Sequence, residues 1–183
     1  MDSEKREEVS TLGGGCFWCT EAVFDSIKGI TSVVSGYSGG TPEDATYGRV
    51  STGRTGHAEV VQVAFDPEAI TFREVLEIFF ATHDPTTLNR QGADVGPQYR
   101  SVVFYHGDAQ KRTTEEVIGE LNGEKIWKNP IVTQVQPFEA FHRAEEYHMD
   151  YYERNRGQAY CRLVIDPKIL KLRERFRDKL KAP

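Results

Sequence analysis

Cysteine is scarce in this chain: three residues in 183, at positions 16, 19 and 161. Three cannot all pair within one chain, and so few cannot staple a small secreted scaffold. No apolar run approaches the roughly 20 residues needed to cross a bilayer. Charge of one sign is also lacking, since 23 Lys and Arg against 28 Asp and Glu leave a formal charge of −5. That excludes the strongly basic footprint of a dedicated nucleic-acid binder. Residues 1–8 are charged and carry no apolar stretch of a secretion signal. The expectation is a cytoplasmic protein with neither a nucleic-acid nor a membrane partner, and a monomer. What is present is ordinary for a globular domain: 38% hydrophobic and 28% charged residues, in a length that suffices for one core and is thin for two.

Residues 1–8 read as a loose leader. Residues 9–12 suggest a short strand, Gly13-Gly14-Gly15 follows, and Cys16 opens a helical pattern with Phe17, Ala22, Val23, Phe24 and Ile27 on an apolar face that ends at Gly29. The β-branched run 30–37 predicts a second strand and 57–65 a third. Thr71 and Glu74 form a capping box, after which Phe72, Val75, Leu76, Phe79 and Phe80 recur at helical spacing. Residues 101–105 predict a strand and 108–121 a helix. The order strand, helix, strand, strand, helix, strand is the split β-α-β pattern of ferredoxin-like folds. The expected architecture is therefore α/β (α+β), a two-layer sandwich with a β-α-β-β-α-β core. A strand at 131–135, a helix at 141–154, and a tail over 155–183 with a basic terminal helix decorate a single catalytic domain spanning 1–183. Two turn-rich loops, 38–56 and 85–99, are longer than a compact domain needs for connection alone.

Chemistry concentrates around Cys16. The free N–H groups and positive end of a helix N-terminus favour a thiolate. Cys16-Phe17-Trp18-Cys19 is a C-x-x-C, which suits a redox pair. A zinc site would need two further ligands, and no second C-x-x-C exists. Phe17 and Trp18 could wall an apolar pocket or simply belong to the core. On the third strand Glu59 shares a face with Val61, Val63 and Phe65, so it points toward the interior, where burial raises a carboxyl pKa and makes a general acid. Tyr47 lies in one long loop; Tyr99 and Asp94 lie in the other. The two tyrosine hydroxyls suit donation to a substrate oxygen and equally suit loop anchoring. Cys161 is either a mobile tail thiol able to resolve an oxidised cysteine or a core residue of the 160–165 apolar strip. The histidines show no metal-binding spacing, and no metal or organic cofactor is expected. A general C-x-x-C disulfide oxidoreductase and a binding domain with a metal clip are both open readings of these residues.

The ordered set Gly-Gly-Cys16-Phe17-Trp18, Gly36-Tyr-Ser-Gly-Gly40, Ala45-Thr46-Tyr47, Thr55-Gly56-His57-Ala58-Glu59, His83-Asp-Pro-Thr86, Gln98-Tyr99-Arg100-Ser101, His148 and Tyr160-Cys161 resembles the A-class peptide methionine sulfoxide reductases. The resemblance implies a ferredoxin-like core and Cys16 as the attacking cysteine. It implies Phe17 and Trp18 as the pocket for the substrate methyl group, and Glu59 as proton donor to the sulfoxide oxygen. Tyr47 and Tyr99 would hydrogen-bond that oxygen, with Asp94 in support. It further implies methionine S-sulfoxide, protein-bound or free, as substrate and thioredoxin as reductant of an intramolecular disulfide. Many relatives carry glycine where this chain has Cys19, so Cys19 is a possible secondary redox residue beside Cys161. The flexible tail favours Cys161 as the resolving thiol, because disulfide geometry within one helical turn is demanding.

Overall fold

A central strand that is apolar on both faces organises the molecule, whose computed structural model describes residues 6–183. This strand is β3 (Ala58–Phe65). It runs antiparallel to β1 (Glu8–Gly14) on one side and β2 (Ile30–Ser38) on the other. On one face Val61, Val63 and Phe65 join Leu12 and Val103 in the main core; on the other, Ala58 and Val60 join Val102 and Phe104 in a smaller cluster. Removing each such side chain from water stabilises the fold by about 1.5–3 kcal/mol, which explains a near-continuous apolar run where a half-exposed strand would alternate.

The remaining elements in chain order are α1 (Phe17–Asp25), α2 (Tyr47–Val50), α3 (Phe72–Ala81), β4 (Arg90–Gln91), β5 (Asp94–Val95), β6 (Ser101–Tyr105), α4 (Asp108–Glu124), β7 (Gln134–Pro137), β8 (His142–Arg143), α5 (Tyr151–Arg154) and α6 (Asp166–Arg175). The six-stranded sheet has the order β7-β6-β1-β3-β2-β8. Its inner four strands follow the antiparallel ferredoxin-like arrangement, with β6-β1-β3-β2 adjacent, as the strand–helix order predicts. Only β7, added parallel to β6, breaks the antiparallel pattern. The capping box at Thr71 and Glu74 is formed on α3, and the Glu74 carboxylate also pairs with Lys179 at 2.6 Å, tying the C-terminal segment to this helix. Gly29, at φ +85°, makes the turn from α1 into β2; a Cβ there would lie 2.8 Å from Ile70. Among the described residues no helix is long and apolar enough to cross a membrane.

Three expectations shift. The strand placed at 131–135 starts three residues later, as β7 at Gln134–Pro137. The helix expected over 141–154 does not form: it is replaced by the edge strand β8, a 3₁₀ turn at Glu146–His148 and the single turn α5. The chain there turns sharply at Asp150, a non-glycine residue at φ +52°, and the backbone of Ala144 bonds Ser35 on β2 instead of continuing a helix. The apolar strip 160–165 folds as a π-helical turn, Cys161–Ile165, that runs directly into α6.

Candidate active site

The end of β1 delivers Cys16 to the cap position of α1 through Gly13-Gly14-Gly15. Gly15 adopts φ +98°, and a Cβ there would sit 2.7 Å from Gln91 Cγ on the β4–β5 hairpin, so the approach demands glycine. Glu59, second residue of β3 and paired with Tyr37 on β2, points to the same spot. Its Oε1 accepts the Phe17 amide at 3.1 Å, which places carboxyl and thiol side by side at the helix start. Glu59 is 2% exposed and Cys16 8%.

Burial pushes the Glu59 carboxyl up to about 8, against the opposing pull of the Phe17 amide and with help from the charge of Asp94. It therefore keeps its proton at neutral pH. Cys16 behaves differently from the sequence expectation. Its thiol lies well above the ordinary cysteine range, first through burial, then through donation to Cys19 and the charge of Glu59. The Phe17 amide at the helix start goes to Glu59, and burial of the thiol decides the direction. Cys19 moves the other way: the hydrogen bond from Cys16 lowers it against burial, with Lys168 and the Tyr160 hydroxyl assisting.

Both long loops acquire structure of their own and close on this pair. Tyr47 opens α2, and its amide donates to Glu145 Oε2 at 3.0 Å. Tyr99 ends a 3₁₀ turn, Pro97–Tyr99. Gln98 Nε2 donates to Ser51 O at 3.3 Å and Arg100 Nη2 to Gly56 O at 3.0 Å, joining the two loops. Both tyrosine hydroxyls are held above the usual range by burial and by the charges of Glu59 and Cys16, so they share one electrostatic neighbourhood with those groups. Asp94, on β5, accepts the Tyr160 hydroxyl at 2.8 Å.

Phe17 is buried beneath this cluster, its ring 5.0 Å from the His148 ring. Trp18 stacks on Tyr151 with ring centroids 3.7 Å apart and planes 6° from parallel, and meets Tyr160 edge-on. Its indole N–H donates to His148 Nδ1 at 3.0 Å. That bond fixes the neutral tautomer with the proton on Nε2, and burial holds the imidazole below its ordinary range. Among the described residues His148 Nε2 is buried without a hydrogen-bond partner.

Cys161 is 0% exposed. The mobile tail expected of it is replaced by a fixed segment: Tyr160 binds Asp94, Tyr152 donates to Asp166, and α6 packs Ile169 and Leu172 into the core. All three cysteines are free thiols. Among the described residues no three His, Cys, Asp or Glu side chains are grouped to hold a metal ion. A cavity of about 580 Å³ lies on the far side of α1, lined by Glu21, Asp25, Asp150, Arg156 and Arg173, and contains none of these site residues.

Sequence reasoning missed Glu145, Tyr151 and the aromatic role of Tyr160. Glu145 receives the Tyr37 hydroxyl at 2.9 Å as well as the Tyr47 amide, so it fixes one wall of the site. The available signal was the density of aromatic and imidazole side chains between Phe141 and Tyr152, which exceeds what a surface helix needs.

A ferredoxin-like sheet that brings a cysteine pair, a protonated carboxyl and two tyrosine hydroxyls to one helix start defines a thiol-dependent oxidoreductase. The family model described as peptide methionine sulfoxide reductase matches residues 8–180. A relative named peptide methionine sulfoxide reductase MsrA, from Sulfolobus acidocaldarius, is 58% identical over 172 residues, which is 94% of this chain and 97% of that protein. The chain belongs to the peptide methionine sulfoxide reductases, in the MsrA class. Among solved structures, reduced Mxr1 from Saccharomyces cerevisiae aligns with a TM-score of 0.79 at 37% identity, covering 87% of this chain and 91% of that one. Mxr1 in complex with Trx2 aligns with a TM-score of 0.56 at 31% identity, covering 80% and 86%.

Proposed function

We propose that the chain reduces methionine S-sulfoxide, in oxidised proteins and as the free amino acid, with Cys16 as nucleophile and Glu59 as acid. A-class reductases are themselves the known case in which one enzyme serves one sulfur epimer. The observation that carries this reading is the Phe17–Glu59 hydrogen bond, which sets a proton-bearing carboxyl beside the Cys16 sulfur. Phe17 and Trp18 hold the substrate methyl group. Tyr47 and Tyr99 donate to the sulfoxide oxygen, and Asp94 supports that wall through its charge and its bond to Tyr160.

Glu59 passes its proton to the sulfoxide oxygen as the Cys16 sulfur bonds to the substrate sulfur. The thiol's own proton restores the carboxyl. In the collapse the hydroxyl passes from the substrate sulfur to the Cys16 sulfur as the bond between the two sulfurs breaks, releasing methionine and leaving a sulfenic acid on Cys16. In the free site Cys16 holds its proton, so activation waits for a substrate oxygen that draws the Glu59 proton away. A thiol of the chain then condenses with the sulfenic acid, losing water, and a dithiol exchanges with the resulting disulfide. Thioredoxin is the reductant on this reading, supported by the complex of Mxr1 with Trx2. Three free thiols fit a reducing cytoplasmic compartment, and we take the working form to be a monomer.

The test is methionine formation from the S and R sulfoxides with thioredoxin, thioredoxin reductase and NADPH. The S epimer is consumed and the R epimer is not, and Cys16→Ser abolishes turnover. Full turnover by Cys16→Ser would end the proposal.

A further inference from the structure

Glu21 is a buried carboxyl that the mechanism above does not use. It lies one turn after Trp18 on α1 and is 4% exposed. Two groups from outside the helix reach it. Ser35 of β2, itself wholly buried, donates its hydroxyl to Glu21 Oε2 at 3.3 Å. The backbone amide of Tyr151, first residue of α5, donates to the same carboxyl. A single turn such as α5 does not hold its shape alone. Its flanking residue Asp150 stands at φ +52° and makes no side-chain bond to the helix start. Glu21 therefore does from α1 what a capping side chain ordinarily does from the adjoining position. The residue it caps is the one whose ring stacks on the Trp18 indole at 3.7 Å. Ser35 completes the joint, because its carbonyl accepts the Ala144 amide at 2.9 Å. The segment from Ala144 to Tyr151 is thus fastened at both ends to atoms around Glu21.

Burial, and after it the charge of Asp150, raises the Glu21 carboxyl to about 7; Asp25 adds to this, and the bonds from Ser35 and Tyr151 oppose it. Besides Asp25 on its own helix, the charged groups on this side are Asp150, Glu153 and Arg156 around α5, Arg173 on α6 and Lys181 beyond it. Glu153 and Arg156 pair with each other, the Tyr152 hydroxyl goes to Asp166, and β2 presents the neutral Ser35. Glu21 also lines the cavity behind α1, so protons reach it without passing Cys16.

We propose that Glu21 is a positioning residue of the methyl pocket: it docks Tyr151 against Trp18, so that substrate affinity, rather than the chemical step, depends on it. This rests on the assignment of Trp18 to that pocket. Glu21 touches no reacting atom and acts through the Tyr151 amide. A carboxylate accepts more strongly than a carboxylic acid, so the pocket is firm with Glu21 charged and loosens as it takes up a proton.

The experiment uses the intact reduced chain carrying Trp127→Phe, which leaves Trp18 as its single indole. Trp18 emission reports the stack. Single-turnover methionine formation from methionine S-sulfoxide, without recycling reductant, gives a half-saturating concentration and a limiting rate. Glu21→Ala is expected to change the emission and to raise the half-saturating concentration about 3- to 30-fold, the worth of one helix cap, with a smaller change in the limiting rate. Glu21→Gln keeps an acceptor for Tyr151 and a polar partner for Ser35, so it is expected to restore both readouts. As pH falls through about 7 the parent should lose affinity and Glu21→Gln should not; thiol titration is common to both and cancels in the comparison. Unchanged emission and half-saturation in Glu21→Ala overturn the proposal. A fall in limiting rate alone overturns it too, as does a Gln variant whose affinity follows pH as the parent's does. Should Glu21→Ala fail to fold, the Gln comparison decides. Altered emission with unchanged half-saturation would overturn the assignment of Trp18 to the pocket, and the proposal with it. A parent that forms no methionine from either sulfoxide epimer would overturn the reductase reading itself, and the emission would still decide whether Glu21 holds the stack.

Discussion

The Glu59 carboxyl accepts the amide of Phe17 across 42 positions of sequence, at 3.1 Å, and by doing so occupies the helix start that the Cys16 sulfur would otherwise use. The two groups compete for one favourable place. The carboxyl is there first, and a second anion beside it is costly. Burial raises both groups: Glu59 up to about 8 against the pull of the Phe17 amide, and Cys16 well above its ordinary range, with the Cys19 hydrogen bond and the charge of Glu59 adding to it. A site in which neither group is charged at rest is stable without substrate, and it ionises only when a sulfoxide oxygen can take the proton.

Glu59→Gln follows directly from this. The acid form of Glu59 is required, so the single-turnover rate of methionine formation should fall as pH rises through about 8. Glu59→Gln should remove that fall and lower the rate about 10²- to 10⁴-fold. The stability sign is opposite in use. A carboxyl raised on folding contributes fully below its unfolded value, about 4.3, and that contribution is lost as pH rises through the folded value. Glu59→Gln should therefore melt higher than the parent at pH about 9 and not at pH about 4. Equal melting shifts at both pH values would exclude a buried, proton-bearing Glu59.

The inner sheet, α1, α3 and the position of Glu59 were legible because each rests on a local pattern: the β-branched run of β3, the Thr71–Glu74 box, glycines before Cys16. The region 141–154 was not. Its residues have helical composition, but Tyr147, His148 and Tyr151 are drawn to Tyr47 and Trp18, contacts about 100 or more positions away in sequence that no local pattern encodes. Cys161 failed similarly. A tail with basic residues reads as mobile, yet Tyr160–Asp94 and Lys179–Glu74 fasten it from both ends. The direction of the Cys16 shift was hidden for the same reason, since it rests on burial first and then on Cys19 and Glu59, the latter 43 positions away in sequence.

His148→Phe tests the wall behind Trp18. The variant removes the acceptor for the indole N–H, and a buried donor left unpaired costs about 1–3 kcal/mol. The imidazole touches no reacting group on the proposed mechanism; it positions Trp18. KM for the sulfoxide should rise several-fold with a smaller change in kcat, and tryptophan fluorescence should report a changed indole environment. His148→Gln, which can still accept from the indole, should recover most of the KM. A loss of kcat alone, not recovered by Gln, would assign His148 a different role.

Gly15→Ala tests how tightly Cys16 is placed. The position needs φ +98° and has Gln91 Cγ at 2.7 Å from any Cβ. Left-handed backbone for alanine costs about 1–2 kcal/mol before the clash is counted. Urea unfolding should show a loss of at least about that size, and the sulfur should move relative to Glu59. Combining the change with Gln91→Gly relieves the clash but not the backbone strain, so only part of the stability should return. Complete recovery would mean that the glycine serves clearance alone.

Tyr160→Phe tests what sets the reactivity of Cys19. The phenol donates to Asp94 at 2.8 Å and approaches Cys19 Sγ at 3.6 Å, and Phe fills the same edge-on contact with Trp18 without either bond. A thiolate at Cys19 draws the Tyr160 O–H away from Asp94 to itself, and without that donor the thiol pKa rises. In Tyr160→Phe the cysteine pair should therefore ionise at higher pH by ultraviolet thiolate absorbance, and alkylation of Cys19 near neutral pH should slow. Asp94→Asn separates the two effects: it relieves the carboxylate's repulsion of the Cys19 thiolate and leaves Tyr160 a neutral acceptor, so ionisation should move down. Movement of both variants in the same direction would show that packing, rather than donation and charge, controls this sulfur.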